Sequence, residues 1–72
     1  MVKLANISGK MAVKAFRRFG YVIARQTGSH IILRHEKRPT VTIPNHQELA
    51  PGLLRAIIRQ AGLEIVKFTE KL

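Results

Sequence analysis

The run Tyr21-Val22-Ile23-Ala24-Arg25-Gln26-Thr27, the pair Gly28-Ser29, and the run His30-Ile31-Ile32-Leu33-Arg34-His35 decide how this chain folds. The first run is rich in β-branched and aromatic residues and reads as a strand. Gly28-Ser29 is a two-residue connection suited to a tight hairpin, with glycine free to take positive φ at its first position. His30 to His35 then returns as a second strand. With that turn, Thr27 faces His30 and Arg25 faces Ile32 across the ladder. Alternation sends Ile31 and Leu33 to one face and His30, Ile32 and Arg34 to the other. Arg25 lies diagonal to His30 on this second face, within reach for a long side chain. A histidine with Arg25 and Arg34 on an open sheet face is a reasonable phosphate site.

Upstream, Ser8 is placed to cap a helix over about Gly9 to Phe19, in which Ala12, Val13, Phe16 and Phe19 recur at helical spacing. Lys10, Lys14, Arg17 and Arg18 lie largely on its other side, and Gly20 supplies a left-handed stop. Downstream, Glu36-Lys37-Arg38-Pro39 makes a polar turn. Thr40 to Ile43 alternates as a third strand, closed by Pro44. A loop from Asn45 to Ala50 leads to Pro51, whose fixed φ suits the first turn of a second helix. Leu54, Ile57, Ile58 and Ala61 are its apolar stripe. Gly62 ends that helix, with Leu63 placed for the apolar contact of a Schellman cap. Ile65 to Leu72 adds a short last helical turn packed through Ile65 and Phe68. The expected fold is α+β, in the order α-β-β-β-α. A three-stranded antiparallel sheet with both helices on one face buries both stripes and leaves the other sheet face open.

Composition bounds the rest. The 72 residues form one domain, 1–72, with 46% hydrophobic and 6% aromatic residues, which suits a small aliphatic core. A chain of this size buries only ~60% of the surface its unfolded form exposes, so a protein partner that covers apolar surface would matter to it. Without cysteine, disulfides and thiolate metal sites are excluded. The stretch Met1 to Asn6 is too short and mixed for a signal peptide, and no apolar run approaches the ~18 residues of a membrane span. A soluble cytoplasmic protein is expected. Thirteen Lys and Arg against four Glu and no Asp give a net charge of +9, which attracts polyanions. No segment joins a broad apolar face to a continuous basic one, so a membrane surface is a weaker partner than nucleic acid. Lys10, Lys14, Arg17, Arg55 and Arg59 are spaced to form basic helix faces that can meet backbone phosphates.

Three segments together resemble one family. They are Arg25-Gln26-Thr27-Gly28-Ser29-His30, Thr42-Ile43-Pro44-Asn45-His46, and Leu54-Arg55-Ala56-Ile57-Ile58-Arg59-Gln60-Ala61-Gly62-Leu63. With Ser8-Gly9-Lys10 at the start of helix one, they resemble the HicA (YcfA-like) toxins, in order and over nearly the whole chain. The resemblance implies a double-stranded-RNA-binding-domain-like fold. It also implies an mRNA interferase of a toxin–antitoxin system, held inactive in a hetero-oligomer with a HicB-type antitoxin. The family's functional histidine sits in its Gly-Ser-His turn, which falls on His30. The chain departs from the family in carrying Glu36-Lys37-Arg38-Pro39 where an Asp-Gly-type turn is common. It also has Ile31-Ile32 after the histidine, where polar or aromatic residues are common.

The chemistry then expected at His30 is general acid–base work on a ribose. A histidine side chain can take the 2′-OH proton or protonate the leaving 5′-oxygen near neutral pH. Arg25, Arg34 or a lysine would stabilise the phosphorane-like charge. Gly28 and Ser29 shape the turn, and the serine hydroxyl is a candidate phosphate contact. Lys10, Arg55 and Arg59 complete the expected RNA-binding set, and His46 is a candidate second proton carrier. No cofactor and no metal are expected, since four scattered Glu without Asp are a poor supply for a two-metal nuclease. The alternative is a non-catalytic RNA-binding module of the same fold. A DNA-binding role lacks a convincing helix-turn-helix.

Overall fold

A computed structural model describes residues 4–72, so the part of the signal-peptide reading that concerns Met1, Val2 and Lys3 lies outside the described residues. Its elements are α1 (Gly9–Arg18), β1 (Val22–Gln26), β2 (His30–Arg34), β3 (Val41–Pro44), α2 (Pro51–Gln60) and α3 (Ile65–Thr69). The sheet runs β1-β2-β3, antiparallel throughout. The α-β-β-β-α order is as expected, including the short last helix.

The two long helices are delimited by residues visible in the sequence. Ser8 Oγ accepts the Met11 amide at 3.0 Å and caps α1. Gly20 ends it at φ +97°, with Gly20 N–H on the Arg17 carbonyl and Tyr21 N–H on that of Phe16. Pro51 opens α2, and Gly62 ends it at φ +76°. There Gly62 N–H meets the Arg59 carbonyl and Leu63 N–H that of Ile58, so both long helices close in the Schellman pattern. A second device at the end of α2 comes from the β2–β3 turn. Arg38 Nη1 donates to the carbonyls of Ala61 at 3.1 Å and Gly62 at 3.0 Å, placing a cation on the negative end of the helix.

The helices cover one sheet face. Ile31, Leu33, Val41 and Ile43 are buried against Ala12, Phe16, Leu54, Ile58 and Phe68. Phe16 is central, with ring centroids 5.5 Å from Tyr21 and 4.7 Å from Phe68. Among the described residues no polar or charged residue is buried. Tyr21, 1% exposed, sends its hydroxyl to the Pro39 carbonyl at 2.7 Å. Burial raises the pKa of its phenol, while nearby Arg38 lowers it. The folded chain therefore holds this proton more tightly than the unfolded one. Stability is full below the unfolded value of about pH 10 and falls as pH rises past it. In Tyr21→Phe that part of the alkaline loss should vanish, at a cost of about 1 kcal/mol at neutral pH for the missing hydrogen bond. Urea midpoints of both proteins at pH 7 and above pH 10 test this; equal alkaline losses would refute it.

Two features depart from the expected hairpin. Gly28 does not take the left-handed conformation; among the described residues the glycines that do are Gly20 and Gly62. The turn is closed differently. Thr27 N–H donates to the His30 carbonyl at 2.9 Å, and His30 N–H returns to Thr27 Oγ1, at 3.1 Å, so a side chain accepts the bond. The second feature is a bulge. Arg25 pairs with Ile32 and Gln26 with Ile31, but Ile23 pairs with Leu33 and Val22 with Arg34, leaving Ala24 as the extra residue. Ile23 and Gln26 consequently share the helix-side face, while Val22 and Arg25 share the open one.

Candidate functional site

The open face carries His30, Ile32 and Arg34 from β2, and the hairpin turn lies at one end of it. Ile31 and Leu33 are buried and His30 and Arg34 exposed, so the alternation holds. Thr27 fixes the His30 backbone. Ser29 Oγ lies 3.0 Å from His30 Nδ1, which occupies one ring nitrogen and leaves Nε2 as the free one. The imidazole is thereby oriented without being buried, the condition a proton carrier for an external substrate needs. Arg25, opposite Ile32, stands on the same face diagonal to His30.

The turn is also held from behind. Asn45 N–H donates to the Ser29 carbonyl at 2.9 Å, and Asn45 Nδ2 reaches the Gly28 carbonyl at 3.5 Å. The next residue, His46, accepts the Gly9 amide on its carbonyl at 2.9 Å. Gly9 is packed so closely that a Cβ there would fall on the Pro44 carbonyl oxygen and lie 3.2 Å from Asn45 Cα. The start of α1, the β3–α2 loop and the Gly28-Ser29-His30 turn therefore form one hydrogen-bonded unit. Gly28 itself has nothing within 4 Å of the position a Cβ would take, so its side is open to whatever approaches the turn.

Of the residues singled out from the sequence, His30, Ser29, Gly28 and Arg25 come together. Lys10, at the α1 start, lines a depression with Ser8, Asn45, His46 and Gln47, next to the loop residue that ties back to the turn. The His46 side chain is exposed there. Arg34 is on the same face as His30 but four residues along β2, roughly 13 Å away. It lines a separate hollow with Gly20, Val22, His35, Glu36 and Lys37. Arg55 and Arg59 are on α2, which packs on the covered side of the sheet, away from His30. His35 is structural: Nε2 meets the Phe19 carbonyl at 2.9 Å and Nδ1 accepts the Lys37 amide at 2.9 Å. Sequence reasoning missed Thr27 and Asn45 as supports of the turn. The threonine directly before Gly-Ser was a usable signal, because its hydroxyl can replace a backbone acceptor. Asn45 carried none, since its partner is seventeen residues away.

These observations define a small, strongly basic α+β domain with a structured, exposed histidine turn on an open sheet face. A family model described as the HicA toxin of bacterial toxin-antitoxin matches residues 9–63. The chain belongs to the HicA toxin family and is the toxin of a toxin–antitoxin system, with an antitoxin as partner. No curated protein and no solved structure matched it. Among the described residues no helix is long and apolar enough to cross a membrane.

Proposed function

We propose that this toxin is an endoribonuclease that cleaves mRNA by 2′-OH attack with His30 as the proton carrier. The observation that carries the reading is the exposed His30 ring, held at Nδ1 by Ser29 and free at Nε2, on one face with Arg25. In the reaction the ribose O2′ bonds to phosphorus as its proton leaves, and the bond to the 5′-oxygen breaks as that oxygen gains a proton. The products are a 2′,3′-cyclic phosphate and a 5′-hydroxyl. His30 Nε2 performs one of these two transfers. Arg25 stabilises the charge on the equatorial phosphate oxygens, and Lys10 and the turn amides hold the adjacent backbone. Arg34, Arg55 and Arg59 act further out, as RNA backbone contacts. The open space beside Gly28 lets the RNA come close to the turn. No step requires a metal or cofactor. The partner is a HicB-type antitoxin that neutralises the enzyme in the cytoplasm.

The test uses purified toxin and paired RNA oligonucleotides, identical except for a 2′-deoxy sugar at the scissile nucleotide. Cleavage of the all-ribo strand with a cyclic phosphate end, and none of the substituted strand at that position, is the expected result. Cutting of both strands alike would refute 2′-OH attack. Binding of both without cleavage would leave a non-catalytic RNA-binding module instead.

A further inference from the structure

A second surface lies on the other side of β1 from His30. Lys10, Lys14 and Arg17 line a groove between α1 and the edge of the sheet, with Val13 and Ile31 at its floor and Ile23 beside them. Spacings of four and three residues put the three cations in one row about 10 Å long on the helix. None of the chain's four acids, Glu36, Glu48, Glu64 and Glu70, lies in α1 or β1, so this row has no carboxylate on either bordering element. Ile23 is 43% exposed, although it points to the helix side of the sheet. The bulge at Ala24 produces this arrangement by bringing Ile23 onto the same face as Gln26. Among the described residues no further strand pairs with β1 on its outer side, and all five of its residues are exposed.

We propose that this groove docks an acidic segment of a partner protein, which seats an aliphatic side chain against Ile23 and meets Lys14 and Arg17 with carboxylates, while Lys10, at the end of the row beside the β3–α2 loop, stays with the RNA contacts. Its charge alone would serve RNA equally well; its floor does not. Single-stranded nucleic acid is held by aromatic platforms, and duplex RNA by contacts to phosphates and 2′-hydroxyls. The groove offers aliphatic carbon and no aromatic ring, which rewards an apolar side chain and gives a nucleotide nothing to stack on. The cation row selects acidic neighbours for that side chain and speeds encounter with them. The proposal rests on the partner half of the proposed function, that a protein holds this toxin, and not on RNA cleavage. Because His30 lies on the opposite sheet face, a segment in the groove leaves its ring uncovered.

The experiment is an amide NMR titration of the full chain with a short synthetic peptide alternating Glu and Leu. A second peptide has Ser for Leu, and a ribo-oligonucleotide is the competitor. The Glu/Leu peptide is expected to bind saturably, with shifts clustered at α1 and at Ile23 to Gln26. Ile23→Ser and, separately, Lys14→Glu should each weaken it about tenfold, as should the Ser-for-Leu exchange. Both altered residues are exposed, and the amide spectrum of each variant reports its fold. Absence of binding, shifts confined to other surfaces, equal affinity for the Ser peptide, or displacement from the groove by RNA would each overturn the proposal. Loss of RNA cleavage has no bearing on any of these readouts, so the two readings fail separately.

Discussion

Replacing His30 by alanine is expected to slow RNA cleavage by about 10²–10⁴-fold, the usual contribution of one positioned acid or base. The fold should survive. His30 is exposed, its backbone bonds to Thr27 do not involve the ring, and the substitution removes from the turn only the 3.0 Å approach of Ser29 Oγ to Nδ1. A cleavage time course on a defined RNA, with thermal midpoints of both proteins, separates chemistry from folding. In cells, induced wild type should arrest growth and degrade mRNA, whereas His30→Ala should do neither. Equal cleavage by the two proteins would remove His30 from the reaction. A variant that binds RNA as tightly as wild type and cuts slowly would assign it to proton transfer, not to phosphate binding.

The largest effect on stability is expected at Phe16. Its side chain is 0% exposed and touches the Tyr21 and Phe68 rings, while its carbonyl accepts the Phe19 and Tyr21 amides that end α1. Truncating a buried phenylalanine to alanine costs about 3–5 kcal/mol. A chain of 72 residues has a total stability of only about 4–11 kcal/mol at the usual value per residue. Phe16→Ala should thus lose its folded baseline or shift far toward low denaturant in urea unfolding. Met11→Ala, on the same helix but 44% exposed, should change stability by about 0.5 kcal/mol or less. Similar destabilisation of the two variants would mean that the core is not centred on Phe16.

The hairpin and its two faces were legible because a period of two is a local signal, and the buried Ile31 and Leu33 fix which face is inside. The helix ends were legible for the same reason: Ser8, Gly20, Pro51 and Gly62 act on neighbours a few residues away. What was not legible depends on distant partners. Arg38 reads as a turn residue, yet it caps α2 at carbonyls 23 and 24 positions on. The bulge at Ala24 puts Ile23 and Gln26 on one face of β1, an offset of register against β2 that no local pattern encodes. Gly28 shows that a turn motif does not fix its own dihedral angles: with the Thr27 hydroxyl as acceptor, positive φ is unnecessary. At the candidate site the shared face of His30 and Arg25 was readable from strand alternation, whereas the Ser29 approach to Nδ1 was not. The Asn45 and Gly9 ties behind them needed three dimensions.

The row of Lys10, Lys14 and Arg17 also has a consequence for ionic strength. Like charges one helical turn apart repel, and each such pair weakens a helix by a few tenths of a kcal/mol. In a chain of net charge +9, added electrolyte screens that repulsion and firms the free domain. The same electrolyte weakens attachment to any polyanion, because less free energy is gained by releasing counterions into a saltier solution. Conditions that best preserve the isolated protein are therefore those in which it holds its anionic partners least. Occupied by carboxylates or phosphates, α1 would be steadied by the partner instead of by dissolved ions.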